Sequence, residues 1–314
     1  MDVVVLGSLN MDLVAQVSRL PKPGETILGE RFATVPGGKG ANQAVAAARL
    51  GAQTAMVGRV GSGSFGKKLR DGLVADGVDI SRVKVSEETP SGTALISVAP
   101  QNNQIVVVPG ANGEVGDEAL ADLTGCAIAA KVVLLQFEIP MGIVQKAAAI
   151  AKEKGLIAIV DPAPARGPLP DKFCEHISIL TPNQTEAELL TGVKVVDRES
   201  AIEAARMLHR QGVQVVIVKL GELGSVCLTA GGSFGMPAFE VAAVDTVAAG
   251  DAFNGGLAAA LCLGMDAGKA ALSLDRLKSA VLYASAVSAI AVTRSGAQPA
   301  MPMKSEVDDF LSAR

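Results

Sequence analysis

The residues best suited to chemistry lie in DTVAAGDAFNGGL, Asp245 to Leu257, a small-residue turn leading directly into a helix. Backbone N–H groups of Ala248, Ala249, Gly250 and Asp251 would point outward at the helix's positive end. That makes an anion cradle for a phosphoryl group in transfer. Asp251, in the first turn beside the cradle, is placed to act as a base. Taken without its neighbours, it reads better as an acidic residue that stabilises a helix dipole. A second candidate is PGGKGANQAVAAARLG, Pro36 to Gly51, where Gly37, Gly38 and Gly40 precede an alanine-rich helix. These glycines permit close backbone approach to a ligand. The amides at the helix start and the Lys39 ammonium could hold hydroxyl or phosphate oxygens, and Asn42 offers a polyol both a donor and an acceptor. A plain loop-to-helix turn remains the alternative.

Two further motifs are weaker by themselves. In TPNQTEAELLTG, Asn183 and Glu186 have the spacing of a capping box, so a helix end alone explains them and a Mg²⁺ role needs outside support. KLGELG, Lys219 to Gly224, is a strand followed by a glycine turn that could receive a nucleotide. A competing phosphate loop is GSGSFGKK, Gly61 to Lys68, which satisfies GxGxxG and nearly satisfies GxxxxGK[ST]. It falls short chemically, because Lys68 stands where a hydroxyl should ligate Mg²⁺. LIAIVD, ending at Asp161, could pass for its acidic partner strand, while Asp79 is misplaced for a dinucleotide site.

The elements that must position these residues follow an alternating pattern. Short β-branched runs at Val3 to Leu6, Thr54 to Val60, Val132 to Phe137, Ile157 to Asp161, Ile177 to Thr181 and Val213 to Lys219 predict strands. Alanine-rich segments predict helices at Asn42 to Leu50, Phe65 to Ala75, Ile143 to Lys154, Thr185 to Leu190, Ala201 to Gln211, Ala252 to Leu263 and Leu277 to Val292. Near-continuous apolar strands belong to a sheet covered on both faces. The expected fold is therefore α/β, a doubly wound, mostly parallel sheet with helices on both faces. Leu13 to Val35 and Ser91 to Val108 break the alternation and predict antiparallel strands outside the main sheet, either a lid on a binding cleft or an edge extension.

Composition narrows the classes. The 314 residues are 49% hydrophobic, 3% aromatic and 19% charged, with 34 glycines and a formal charge of −4. Long disordered stretches are excluded by that balance, and mild acidity without a basic run argues against nucleic-acid binding. The four cysteines form no CxxC pair and suggest a reduced, cytoplasmic protein. MDVVVLGSLN reads as a first strand rather than a signal peptide. The longest uncharged stretch, Thr89 to Gly113, holds too many Pro, Gly, Ser, Asn and Gln residues for a membrane span. No nucleic-acid or membrane partner is expected.

Read together, NMD at Asn10 to Asp12, GGKGAN at Gly37 to Asn42, DPAPAR at Asp161 to Arg166, TPNQTE at Thr181 to Glu186, DTVAAGDAFNGG at Asp245 to Gly256 and AVTRSGAQ at Ala291 to Gln298 resemble the ribokinase-like (PfkB) carbohydrate kinases. The resemblance spans essentially the whole chain and implies a single domain over residues 1–314, with a β-lid formed by about 12–36 and 90–109 that often also makes a homodimer interface. It implies ATP-dependent phosphorylation of a sugar hydroxymethyl group, for D-ribose the 5-hydroxyl. Kinases for deoxyribose, another sugar or a nucleoside remain alternatives within the family. Asn10 and Asp12 would bind sugar hydroxyls, with Gly38, Lys39, Gly40, Asn42 and Glu138 completing the pocket and Asp251 acting as base. Asn183 and Glu186 would organise Mg²⁺ and phosphates largely through water.

The nucleotide would lie along Lys219 to Gly224, including Gly221, and against Ala249, Gly250 and Ser285. Asp245, with the carbonyls of Val247, Ala291, Arg294 and Gly296, would hold an activating monovalent cation such as K⁺. This sequence departs from the family pattern in three places. Ser285 stands where Asn or His usually lies near the adenine, and Ala300 where a serine often completes the cation site. The segment between the Asp251 helix and Ser285, Gly264 to Tyr283, is longer than usual.

Overall fold

A computed structural model describes residues 1–100, 102–263 and 272–314. In chain order the elements are β1 (Val3–Leu6), β2 (Asn10–Gln16), β3 (Arg31–Gly37), α1 (Lys39–Arg49), β4 (Thr54–Gly61), α2 (Ser64–Ala75), β5 (Asp79–Ser86), β6 (Gly92–Ala99), β7 (Asn102–Val108), α3 (Asp117–Ala127) and β8 (Val132–Gln136). They continue with α4 (Met141–Glu153), β9 (Ile157–Asp161), β10 (Ile179–Leu180), α5 (Gln184–Thr191), α6 (Arg198–Arg210), β11 (Val215–Lys219), β12 (Ser225–Thr229), β13 (Gly232–Met236), α7 (Ala249–Leu263), α8 (Leu274–Ala291) and α9 (Lys304–Ser312). The main sheet runs β13-β12-β11-β10-β9-β8-β1-β4-β5. It is parallel from β5 to β11, and β12 and β13 add an antiparallel edge.

Period-two alternation sorts the side chains of each parallel strand into two cores. Val3 and Val5 of β1 pack in one layer with Ala44 of α1, Ala258 of α7 and Val287 of α8. Val4 and Leu6 join the opposite layer with Leu123 of α3, Val144 of α4 and Leu208 of α6. Burial on both sides explains why VVVL and VVLL carry no polar residue. Each such Val or Leu contributes about 1.5–3 kcal/mol relative to an exposed side chain. The glycine pair after Asn254 serves close approach: a Cβ at Gly255 would stand 2.9 Å from the Gln43 carbonyl oxygen on α1, and one at Gly256 3.0 Å from Val287 Cγ2 on α8. Helix α7 is thereby wedged between its two neighbours.

The segments that broke the alternation form a separate four-stranded sheet, β3-β2-β6-β7. Each segment supplies one antiparallel pair, β2 with β3 and β6 with β7, while the central β2–β6 pair is parallel. Strand β2 starts at Asn10 and β3 ends at Gly37, so both strands run directly into the polar motifs. No described helix is long and apolar enough to cross a membrane.

Candidate active site

The chemistry-bearing side chains collect at the carboxyl ends of the parallel strands, where open α/β sheets bind ligands. Gly7 and Ser8 follow β1, Gln136 ends β8, Asp161 ends β9, Thr181 follows β10 and Lys219 ends β11. Residues distant in sequence meet there because every crossover helix returns the chain to the same edge.

The first cluster surrounds the start of α1. Gly38 caps the helix at φ 89°, and a Cβ there would lie 2.6 Å from the Asn10 nitrogen. A Cβ at Gly40 would lie 2.6 Å from the Ser8 nitrogen. Side chains are sterically excluded at both positions, which lets the helix start press against the β1–β2 turn. Glu138 ties this corner together: its Oε2 accepts hydrogen bonds from Ser8 Oγ at 2.5 Å, Lys39 N at 3.1 Å and Asn10 Nδ2 at 3.5 Å. Asn10 Oδ1 accepts from Asn112 Nδ2 at 2.7 Å, and Asn112 also bonds the backbone of Leu9 in both directions. Asp12 is half-buried; burial, then the Glu138 and Asp251 carboxylates, push its pKa up to about 7. Burial disfavours charge on Lys39, but the surrounding Asp251, Asp161, Glu138 and Glu186 outweigh it and raise the ammonium's pKa.

The second cluster is built on Asp251. The carboxylate is 4% exposed, and it accepts from Asn42 Nδ2 at 2.8 Å and Gln43 Nε2 at 3.0 Å. Gln43 Nε2 also lies 3.1 Å from Asp161 Oδ2, and Gln43 Oε1 accepts from Gln136 Nε2 at 2.7 Å. Burial raises the pKa of Asp251 to about 6; Lys39 pulls it down, Asp161 pushes it up, and the two amide donors favour the charged form. Asn42 Oδ1 is buried without a protein partner. Asn42 therefore orients the Asp251 carboxylate and leaves its own Oδ1 as an open acceptor.

In the AAGD turn the Ala249 N–H donates to the Thr246 carbonyl at 3.2 Å, which removes it from the expected cradle. Among the described residues, the N–H groups of Ala248, Gly250 and Asp251 meet no protein acceptor. They form the positive end of α7 next to the Asp251 carboxylate. Lys219 reaches this turn from β11. Its Nζ is 3.2 Å from Asp161 Oδ1, and a Cβ at Gly250 would stand 3.2 Å from that same nitrogen.

On the far side of Lys219, Asn183 caps α5 in the box its spacing predicted, with Glu186 N to Asn183 Oδ1 and Asn183 N to Glu186 Oε2 both 2.8 Å. Burial and the Asp161 carboxylate raise the pKa of Glu186. Gly221 begins a short 3-10 turn and Gly224 closes it, both at positive φ. Ser285 lies on α8 with its hydroxyl donating to the Val281 carbonyl at 2.8 Å, so its proton is committed within the helix. Of the long segment after α7, residues 264–271 lie outside those described.

Asp245 clamps two loops: its Oδ1 accepts from Val247 N and its Oδ2 from Gly296 N, each at 3.0 Å. This brings the carbonyl-bearing stretch from Ala291 through Arg294 to Gly296 beside the turn that leads into α7. Ala300, 1% exposed in a 3-10 turn, adds no side-chain oxygen. The GSGSFGKK turn is otherwise engaged: Lys67 pairs with Asp71 on the surface, and Lys68 donates to Thr34 of β3. Gln43, Gln136 and Asn112 escaped sequence reasoning, since nothing in their local motifs separates an amide in a buried network from one on a surface.

A buried carboxylate, a helix end with free amides and an ammonium beside both are groups suited to phosphoryl transfer on an α/β sheet. Residues 1–304 match the pfkB family carbohydrate kinases, and the chain belongs to that family. It is 40% identical over 308 residues to a ribokinase of Haemophilus influenzae, covering 98% of this chain and 97% of that one. A deoxyribokinase of Salmonella typhi is 35% identical over 317 residues, at 99% of both chains. Among solved structures, Arabidopsis thaliana ribokinase complexed with ribose and ATP superposes with a TM-score of 0.88 at 33% identity, covering 99% of this chain and 98% of that one.

Proposed function

We propose that the protein transfers the γ-phosphoryl group of ATP to the 5-hydroxyl of D-ribose, with Asp251 as general base. The observation that carries this reading is the Asp251 carboxylate, buried, held by two amide donors and adjacent to unpaired N–H groups at the head of α7. Its likeness to ribokinases along the full chain supplies the acceptor. Asn10, Asp12, Gly38, Lys39, Gly40, Asn42 and Glu138 bind and orient the sugar. Asp251 takes the proton of the attacking hydroxyl as its oxygen bonds to the γ-phosphorus. The bond from that phosphorus to the bridging oxygen breaks, and its electron pair leaves with ADP. Amides of the AAGD turn face the equatorial oxygens, where charge is spread in transfer.

Lys219, Gly221 and Gly224 line the nucleotide, with Ala249 and Gly250 at its phosphate end and Ser285 at the adenine edge. Asn183 and Glu186 suit a hydrated Mg²⁺: both offer hard oxygen donors, and Glu186 is a half-buried carboxylate whose charge burial and Asp161 disfavour against the pull of Lys219 and Lys39. Bound there, Mg²⁺ would neutralise charge on the nucleotide's phosphates. Asp245 and the carbonyls of Val247, Ala291, Arg294 and Gly296 offer hard oxygen donors on loops that Asp245 already ties together, as a K⁺ site requires. The lid sheet carries exposed Phe32, Leu95, Ile105, Val106, Val107 and Val108, an apolar surface that suits a homodimer. Four free, buried cysteines fit a reducing cytoplasm.

Deoxyribose is the second acceptor, favoured by the deoxyribokinase relative. ATP consumption measured against ribose, deoxyribose, hexoses and nucleosides, with and without K⁺, tests the assignment. Ribose should be the best acceptor and K⁺ should stimulate; a nucleoside or hexose turned over faster than ribose would contradict it.

A further inference from the structure

Lys219 has an arrangement that pairing with Asp161 does not exhaust. It is the last residue of β11, and its side chain is 15% exposed against 3% for Asp161. Asp161 is already supplied with a second donor, Gln43 Nε2 at 3.1 Å. An ammonium has three N–H groups, and among the described residues the protein provides Lys219 Nζ with one acceptor, Asp161 Oδ1 at 3.2 Å. Toward α7 the nitrogen lies over Gly250, at the 3.2 Å a Cβ there would leave, so no side chain stands between the charge and the turn. The backbone at Asn183 pairs with Lys219 in a parallel bridge, which fixes the strand end against the start of α5. A strongly hydrated cation held mostly out of water, with free N–H groups beside unpaired amides, is built to receive anionic oxygens.

We propose that Lys219 is a catalytic residue whose ammonium contacts the γ-phosphoryl oxygens during transfer, adding a fixed charge to the amides of Gly250 and Asp251. Asp161, itself held by Gln43, aims the ammonium. The proposal rests on the sugar-kinase reading above and adds to it the group that stabilises charge on the phosphoryl side, opposite the base. Lys219 forms no covalent bond and moves no proton.

The test compares Lys219→Gln, Lys219→Ala and Lys219→Arg with the unaltered protein. Glutamine keeps a donor for Asp161 but removes the charge, so a merely structural role predicts near-normal turnover. A catalytic role predicts that Lys219→Gln and Lys219→Ala lower kcat by roughly 100-fold or more with KM for the sugar little changed, and that Lys219→Arg retains a larger share. A second arm measures binding of ADP and of ADP with aluminium fluoride, both with Mg²⁺ and sugar present. The fluoride complex should lose its extra affinity in Lys219→Gln while ADP alone binds within a few-fold. Turnover by Lys219→Gln within about threefold of the unaltered protein, or equal weakening of both ligands, overturns the role. Absence of ribose turnover by the unaltered protein would instead sink the acceptor assignment, and the binding arm would still read Lys219 with whichever sugar the panel selects.

Discussion

The glycine-rich turns before α1 and α2 both lead from a strand into a helix, and only the first contributes to the candidate site. Before α1, the GGKGAN turn has Gly38 and Gly40 pressed against the backbone of the β1–β2 turn, and its polar side chains aim inward. Lys39 lies among four carboxylates, and Asn42 and Gln43 hold Asp251. Before α2, the GSGSFGKK turn also packs closely, with a Cβ at Gly61 meeting Ser91 N at 2.6 Å, but Gly63 faces open space. Its lysines answer surface or lid partners. Glycine spacing marks where backbone comes close. What the following polar residues meet decides whether a site results.

The sharpest way to break this contrast is to neutralise the group that the first turn serves. Asp251→Asn should lower kcat by about 10²–10⁴-fold while ATP binding, followed by calorimetry, stays near its original affinity. Next in size is Asn42→Ala, which removes one charge-assisted bond to the base and should cost roughly 10- to 100-fold in kcat. It also sharpens the electrostatic account. As the proposed base Asp251 would work deprotonated, and its pKa is pushed up to about 6, so kcat/KM should rise with pH through that region. Loss of the Asn42 donor disfavours the charged form and should move the rise to higher pH. Asp12, pushed up to about 7, titrates nearby, so the profile is best repeated in Asp12→Asn.

Smaller effects test the glycines themselves. Gly40→Ala sets a Cβ 2.6 Å from Ser8 N and should cost about 1–3 kcal/mol in urea unfolding, whereas Gly63→Ala meets nothing within 4 Å and should stay within about 0.5 kcal/mol. Equal losses would mean that the two turns are packed alike. At the bottom of the scale, Lys67→Ala should leave ATP affinity and turnover within about twofold, since it removes an exposed pair. Loss of nucleotide binding there would move the phosphate site to α2.

Much of the main sheet was legible because VVVL, VVLL and IAIV are apolar on both faces, as strands of a doubly covered parallel sheet are. Helices α3 and α9 were not anticipated: DEALADLTGCA and KSEVDDFLS bury narrow faces and start in acidic turns, a pattern shared with exposed loops. Strand β13 escaped as well, because GSFGM is glycine-rich and half-exposed, with little β-branched signal. At the site, Asp251 and the capping box of Asn183 and Glu186 could be placed from local motifs. Their partners could not. Gln43, Gln136 and Asp161 converge only through the register of β8 and β9 against the rest of the sheet, a long-range property that no window of sequence carries. Ala249 taught the reverse lesson, since its amide is consumed by Thr246 inside a turn that reads as open.

Transfer to the primary hydroxyl of ribose at the Asp251 site is the proposed reaction. The most direct measurement is phosphorus NMR of the product formed from D-ribose, ATP, Mg²⁺ and K⁺, run beside Asp251→Asn. One ester on the C5 methylene, formed in step with ADP and nearly absent in the variant, is the predicted result. A phosphate on another carbon, no phosphorylated pentose, or undiminished product from Asp251→Asn would contradict it.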